Sequence, residues 1–377
     1  MKKLFLIAAV GVPLAAFAGA AQGQAVRGAK IPGQYICVMK KSVSRGDVAS
    51  QANSAAVPLG GQVERVFNRS LRGFTVTIPD ALASRLKDTN PNIAFCEQDQ
   101  IITLVPPRED GRYADARRRR SPTTPSAEET PWGVSRVNGG ASGTYATAWV
   151  IDSGVDLTHP DLSVDKGRSK TFVQFTYDAN DQNGHGTHVA GTIAAKVNGI
   201  GVIGVAPGAP IVSVRVLDRN GSGTTSGVIA GVDYVAGAGR PGDVANMSLG
   251  GSVSTALDQA VVDAASTGIR FVLAAGNESD NADSHSPARA EGPNVFTVSA
   301  FAFGDGFASF SNWGSHVDWA EPGVSIKSTW KSGGYNTISG TSMAAPHLSG
   351  LLLTNGLRNG GYVKGDPDGN ADPIGVR

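Results

Sequence analysis

The 377-residue sequence contains only two cysteines, Cys37 and Cys96, and both precede residue 110. No disulfide within the chain can cross-link anything after that point. A staple for the larger part must come from elsewhere, and a bound cation is the obvious candidate. Charge of either sign is also scarce in net terms, at +1. A nucleic-acid partner would call for a clustered basic face, so that class is not expected. Beyond the N-terminus no run is long and apolar enough to span a bilayer. No repeat of solenoid type is visible. What is abundant is glycine, with 49 residues, set among apolar segments in a chain that is 41% hydrophobic. That mixture points to many tight turns around a real core rather than to disorder. The length suits two domains with linkers.

The N-terminus reads as an export signal over residues 1–20. Lys2 and Lys3 supply positive charge, residues 4–17 are apolar, and Ala18, Gly19, Ala20 and Ala21 are small. A membrane anchor is the competing reading, and the apolar stretch is short for one. The protein is therefore expected to be secreted, outside the cell or into a periplasm.

Residues 31–105 suggest a small α+β unit. Strands are expected at 34–40, 62–67 and 73–78, helices at 48–56 and 80–87, and a last strand or hairpin at 93–98 and 101–105. The order β-α-β-β-α-β is ferredoxin-like and makes the first and last strands neighbours. Cys37 and Cys96 fall on those strands, which allows a disulfide and equally allows two half-buried thiols. Residues 106–131 carry five prolines, four consecutive arginines from Arg117 to Arg120 and almost nothing apolar. They read as an exposed processing linker. Residues 132–355 alternate short apolar runs with helix-length segments. The runs fall at 146–151, 211–217, 244–247, 271–274 and 295–298. The helical segments fall at 187–196, 226–236 and 254–267. This is an α/β pattern: a parallel sheet with helices on both faces and reactive groups at the carboxyl ends of strands. Residues 356–377 read as a short solvated tail, although the spaced carboxylates from Asp366 to Asp372 could hold calcium.

Four segments carry chemistry. Asp152 ends a buried apolar run, where a carboxylate needs a partner. His185 lies between Gly184 and Gly186. Ser342 opens a helical segment after Gly340, where backbone N–H groups point outward. Asn277 follows a strand and Gly276, and its amide can donate without carrying charge. Singly, each has a plainer reading as a cap, a turn former or a structural residue. His185 and His188 could form a metal pair, but no third ligand is placed as zinc sites demand. Together the four supply an acid, a base, a nucleophile and an amide donor, as a hydrolytic triad with an oxyanion hole requires.

The motifs Val150-Ile151-Asp152-Ser153-Gly154, Gly184-His185-Gly186-Thr187-His188 and Gly340-Thr341-Ser342-Met343-Ala344-Ala345-Pro346-His347 resemble those of the subtilisin-like serine peptidases, and within them the proteinase K-like branch. The order Asp, His, Ser is that of the family. The resemblance runs from about Trp132 to Leu353, and Thr130-Pro131-Trp132-Gly133 resembles the start of the mature enzymes. It implies a secreted, monomeric endopeptidase acting on proteins and peptides. Ser342 would be the nucleophile, His185 the base, Asp152 its orienting acid and Asn277 the oxyanion donor. Residues 31–105 would be an inhibitory propeptide. Gly221, Ser222 and Gly223, with Ser248, Leu249 and Gly250, would clamp an extended substrate. Ala274, Ala275 and Gly276 would wall a permissive, apolar pocket for the residue before the cut, with His285 at its rim. Pro293, Val295 and Asp318 resemble a structural calcium site. The chain departs from the family after Leu353, where the final helices are missing or replaced. Two other classes compete: a catalytically silent binding protein on this scaffold, and a metallohydrolase using His185 and His188.

Overall fold

The computed structural model describes residues 26–104 and 127–377. The expected export signal and the arginine run lie outside those residues. The N-terminal unit comprises β1 (Lys30–Met39), α1 (Val48–Ala56), β2 (Gln62–Phe67), β3 (Gly73–Thr77), α2 (Asp80–Ala83), α3 (Leu86–Thr89) and β4 (Ile93–Thr103). Its antiparallel sheet has the order β2-β3-β1-β4, as the ferredoxin-like pattern predicts. In α1, Val48, Ala52, Ala55 and Ala56 are buried, one face at helical spacing. They pack on Phe74, Val76 and Ile93. Cys37 lies opposite Cys96 in the register, and the two form a disulfide.

Two expectations for this unit change. The helix expected at 80–87 is two short ones. Asp80 is committed to the Gly33 N–H and the Tyr35 hydroxyl, which docks the first turn on β1. Leu86 then turns into the core. The strand or hairpin expected at 93–98 and 101–105 is one unbroken 11-residue strand, β4. Its polar centre, from Glu97 to Gln100, looks like a turn in the sequence. In the fold Glu97 and Asp99 are satisfied by the larger unit, so the strand continues.

The larger unit follows in order: α4 (Trp132–Arg136), β5 (Ala148–Asp152), β6 (Lys170–Thr171), α5 (His185–Ala194), β7 (Ile211–Arg215), β8 (Ser222–Thr224), α6 (Thr225–Ala238), β9 (Val244–Met247), β10 (Gly251–Ser252), α7 (Thr255–Ala265), β11 (Arg270–Ala274), β12 (His285–Ser286), β13 (Val295–Ala302), β14 (Gly306–Phe307), β15 (Trp319–Pro322), β16 (Ile326–Trp330), β17 (Gly334–Ile338), α8 (Thr341–Thr354), β18 (Arg358–Tyr362) and β19 (Pro373–Val376). The main sheet runs β18-β19-β15-β13-β11-β9-β5-β7-β6, parallel along this path except for the edge strand β18, and β14 pairs antiparallel with the end of β13. Both faces are covered, which is why β5, β7 and β9 are apolar runs buried throughout. Helices α5 and α8 share one core with Val150, Val272 and Val298. Helices α6 and α7 share the other with Trp149, Val214 and Phe271, and there Ile36, Val38, Phe67 and Ile102 of the N-terminal unit join them.

Two segments are more ordered than their composition suggests. The last five residues of the expected linker are docked: Ala127 bridges Ile200, Glu129 bridges Val202, and Glu129 pairs with Lys327. The tail is not a solvated strand of chain. Strand β19 joins the sheet beside β15, with Ile374 fully buried, and Asp372 accepts a hydrogen bond from the Ser299 hydroxyl at 2.6 Å. Among the described residues no helix is long and apolar enough to cross a membrane.

Candidate active site

Asp152, at the carboxyl end of β5, is fully buried. His185 opens α5. Two glycines bring them together. Gly184 sits at φ +115, and a side chain there would strike the Trp330 indole. A Cβ on Gly186 would collide with the Gly154 carbonyl, so only glycine lets α5 lie this close to the turn after β5. The His185 Nδ1–H then donates to Asp152 Oδ1 at 2.9 Å and Oδ2 at 3.0 Å. An ionised carboxylate can only accept, so the proton sits on Nδ1 and the unprotonated Nε2 is left to act as base. Burial disfavours the charged ring. The Asp152 charge and hydrogen bond, helped by Asp181, outweigh it and hold the His185 pKa above its ordinary value.

Asp181 is a residue that sequence reasoning missed. Its Oδ1 accepts from the Ser153 hydroxyl at 3.0 Å and from the Asn183 and Gly184 N–H groups at 2.9 and 2.8 Å. Its Oδ2 accepts from the Thr187 N–H and hydroxyl at 2.9 and 2.6 Å. One buried carboxylate thus ties the turn after Asp152 to the start of α5. The signal available in the sequence was an aspartate four positions before the histidine, too generic to single out alone.

Ser342 is the second residue of α8, in the first turn, where N–H groups have no acceptor within the helix. Its hydroxyl donates to the Ser248 carbonyl at 3.2 Å, and the Ser248 hydroxyl donates to the Ser342 carbonyl at 2.8 Å. The nucleophile candidate is therefore bonded to Ser248, and no hydrogen bond joins its hydroxyl to His185. Such loosened contacts are common before substrate binds. Asn277 is buried, and its Oδ1 accepts from both the N–H and the hydroxyl of Thr341 at 2.8 Å. The Thr341 N–H can only donate, which fixes the amide orientation and leaves Nδ2 as the free donor.

Ala274, Ala275, Gly276 and Asn277 line one pocket with Ser248, Leu249, Gly250, His285 and Ser342. Those expectations converge on a single place. Gly221, Ser222 and Gly223 lie across the cleft from it, and the space between is filled by the chain itself. Ile101, Ile102 and Thr103 pair antiparallel with Thr224, Gly223 and Ser222. Thr103 also bridges Gly250, and the Leu104 N–H donates to the Gly221 carbonyl at 2.8 Å.

The same strand caps two helices. Asp99 accepts from the Ser226 N–H and hydroxyl in the first turn of α6. Glu97 accepts from the Ser254 hydroxyl and the Ala256 N–H at the start of α7. Positive helix ends suit these carboxylates, although burial outweighs that help and raises both pKa values.

His188 is fully buried, with Nε2 on the Ile326 carbonyl at 3.0 Å, and burial drives its pKa down to about 3. With that nitrogen committed to the backbone of β16, it is placed as a structural residue. Among the described residues no three His, Cys, Asp or Glu side chains cluster to hold a metal ion. Asp318 precedes β15, and its Oδ2 accepts from the Thr297 N–H at 2.8 Å. This fixes its carboxylate beside Thr297 on β13, the strand that begins at Val295. Burial raises the Asp318 pKa, and repulsion from Glu291 adds to it.

A carboxylate-oriented imidazole, a hydroxyl at a helix start and an amide donor, all at the carboxyl ends of a parallel sheet, define a serine hydrolase. Comparison with known proteins narrows the class. The model of the subtilase family, Peptidase_S8, matches residues 147–354. The alkaline serine exoprotease A of Vibrio alginolyticus is 44% identical over 303 residues, 77% of this chain and 52% of that protein, so the chain spans about half the length of that relative. The alkaline serine protease ver112 of Corniculantispora psalliotae is 37% identical over 93% of this chain and 88% of its own. The crystal structure of a cold-adapted subtilisin-like serine proteinase is 45% identical, with a TM-score of 0.58, over 64% of this chain and 96% of that one. The chain belongs to the subtilase family of subtilisin-like serine proteases.

Proposed function

We propose that the chain is a secreted serine endopeptidase made as an autoinhibited precursor. Ser342 attacks the peptide carbonyl once its hydroxyl turns to His185. His185 takes the proton on Nε2 and returns it to the leaving amine. Asp152 holds the ring in the productive tautomer and stabilises its charged form. The Asn277 amide and the Ser342 N–H receive the oxyanion. The small, uncharged walls at Ala274, Ala275 and Gly276 favour apolar side chains before the cut. The observation that carries this reading is the peptide backbone of Ile101–Leu104 already paired with Gly221–Thr224 on one side and bridging Gly250 on the other. It supports a cleft built for extended polypeptide, and it supports residues 31–105 as the propeptide that blocks it. Casein turnover by the processed protein is the test. The reading expects turnover abolished by a serine-directed reagent and indifferent to a zinc chelator. An inert processed protein, or one stopped by the chelator alone, would overturn it.

Asn277→Ala removes a donor that acts on charge present only in the transition state. We expect kcat to fall about 10²–10³-fold with KM little changed, a magnitude drawn from this family. A fall in kcat/KM carried by KM alone would assign Asn277 to ground-state binding instead.

The carbonyls of Pro293 and Val295 with the Asp318 carboxylate form a hard-oxygen set suited to a structural calcium ion, which would staple the cysteine-free part of the chain. A site saturated about 100-fold above its Kd contributes about 2.7 kcal/mol, so calcium chelation should lower Tm by about 5–10 °C. An unchanged melting curve removes the calcium role.

A further inference from the structure

The segment ahead of β1 is built into the cleft. The Gly28 N–H donates to the Ile101 carbonyl and the Ile101 N–H to the Ala29 carbonyl, both at 2.9 Å. Residues 28 and 29 thus lie along the strand that fills the substrate site. A Cβ on Gly28 would collide with the Ser252 side chain, so the glycine lets this strap press against β10. Arg27 is carried into the pocket lined by Ala274, Gly276 and Ser342, where its guanidinium pairs with the Glu278 carboxylate. Glu278 directly follows Asn277, and its second oxygen is fixed by the Asn312 amide at 2.7 Å. Both partners are mostly shielded, at 21% and 23% side-chain exposure. Burial moves the Arg27 pKa down only to about 10, so the guanidinium stays charged at neutral pH.

We propose that residues 26–29 are a latch, in which Arg27 seated against Glu278 holds the N-terminal unit over the pocket after the linker is cut. The inference rests on the propeptide reading above. Backbone pairing through Ile101–Leu104 fills the strand clamp. The latch closes the specificity pocket by a separate, charged contact that lies seventy residues earlier in the chain, so release requires both to let go.

The test uses full-length precursors with Ser342 intact: wild type, Arg27→Lys, Arg27→Gln and Arg27→Glu. Linker cleavage is followed on gels, and activity on a small chromogenic peptide. Cleavage should proceed alike in all four. The lag between cleavage and activity should shorten about tenfold in Arg27→Gln. Repulsion from Glu278 should shorten it further in Arg27→Glu, whereas Arg27→Lys should keep most of it. Equal lags in correctly cleaved variants overturn the latch alone. Full activity of the uncleaved wild type overturns the latch together with the propeptide reading. If Arg27→Glu fails to fold, the Lys and Gln variants still decide.

Discussion

Ser342→Ala is expected to abolish peptide hydrolysis, by about 10⁶-fold in kcat, and to leave the purified precursor full length. The magnitude is that found within this family when the nucleophile is removed. It is large because the oxyanion donors and the binding cleft remain but have no covalent step to assist. On the proposed precursor reading the same change should stop maturation, since the cleft already holds Ile101–Leu104, which precede the expected linker in sequence. Folding should survive. Ser342 lies in the first turn of α8, where alanine is tolerated, and only one of its two contacts with Ser248 is lost. The serine hydroxyl's bond to the Ser248 carbonyl disappears, but the Ser342 carbonyl still accepts from the Ser248 side chain. Normal processing of this variant in purified form would show that another protease matures the chain.

Asp152→Asn should reduce kcat about 10⁴-fold with the geometry intact. The neutral amide can present its NH₂ to the ring, which favours the tautomer with the proton on Nε2, the wrong nitrogen for a base facing Ser342. The pH profile supplies an independent signature. His185 must be neutral to accept a proton, and Asp152 raises its pKa, so wild-type kcat/KM should fall on the acid side through a limb above the ordinary imidazole value of about 6.5. Without the Asp152 charge, burial is the dominant remaining influence, and it lowers the His185 pKa. The acid limb should therefore move to lower pH while the plateau collapses. A limb that stays in place would show that Asp152 does not set the charge state of His185.

Much of this was legible in the sequence because it is local. Strands β2 and β9 and helix α1 lie where apolar periodicity puts them. The three motifs carry their own reasons: Gly184 and Gly186 are needed for close approach, and Ser342 follows a helix start. The neighbouring of Cys37 and Cys96 followed from topology, but whether they bond depended on a register that no local pattern fixes. What stayed illegible is long-range. Asp99 fell in the gap between two expected stretches, and nothing local marks it or Glu97 as a cap, because the helix ends that satisfy them lie more than a hundred residues away. Of the five donors on Asp181, four are local, and the Ser153 hydroxyl comes within reach only when the turn after β5 packs against the start of α5. The tail looked solvated because glycine and aspartate dominate it, yet burial of Ile374 beside β15 and of Asp372 against Ser299 is enough to order it. Arg27 carried no motif at all. Its position emerges only when β1, β4 and the pocket are assembled.

The most direct test of the central claim is covalent. The processed protein is treated with a serine-directed organophosphonate, and the adduct is located by peptide mass mapping. The account predicts a single adduct on Ser342, loss of activity in proportion to labelling, and no labelling when His185 is alanine. Activity that survives complete modification of Ser342, or inhibition with the adduct on another residue, would contradict it.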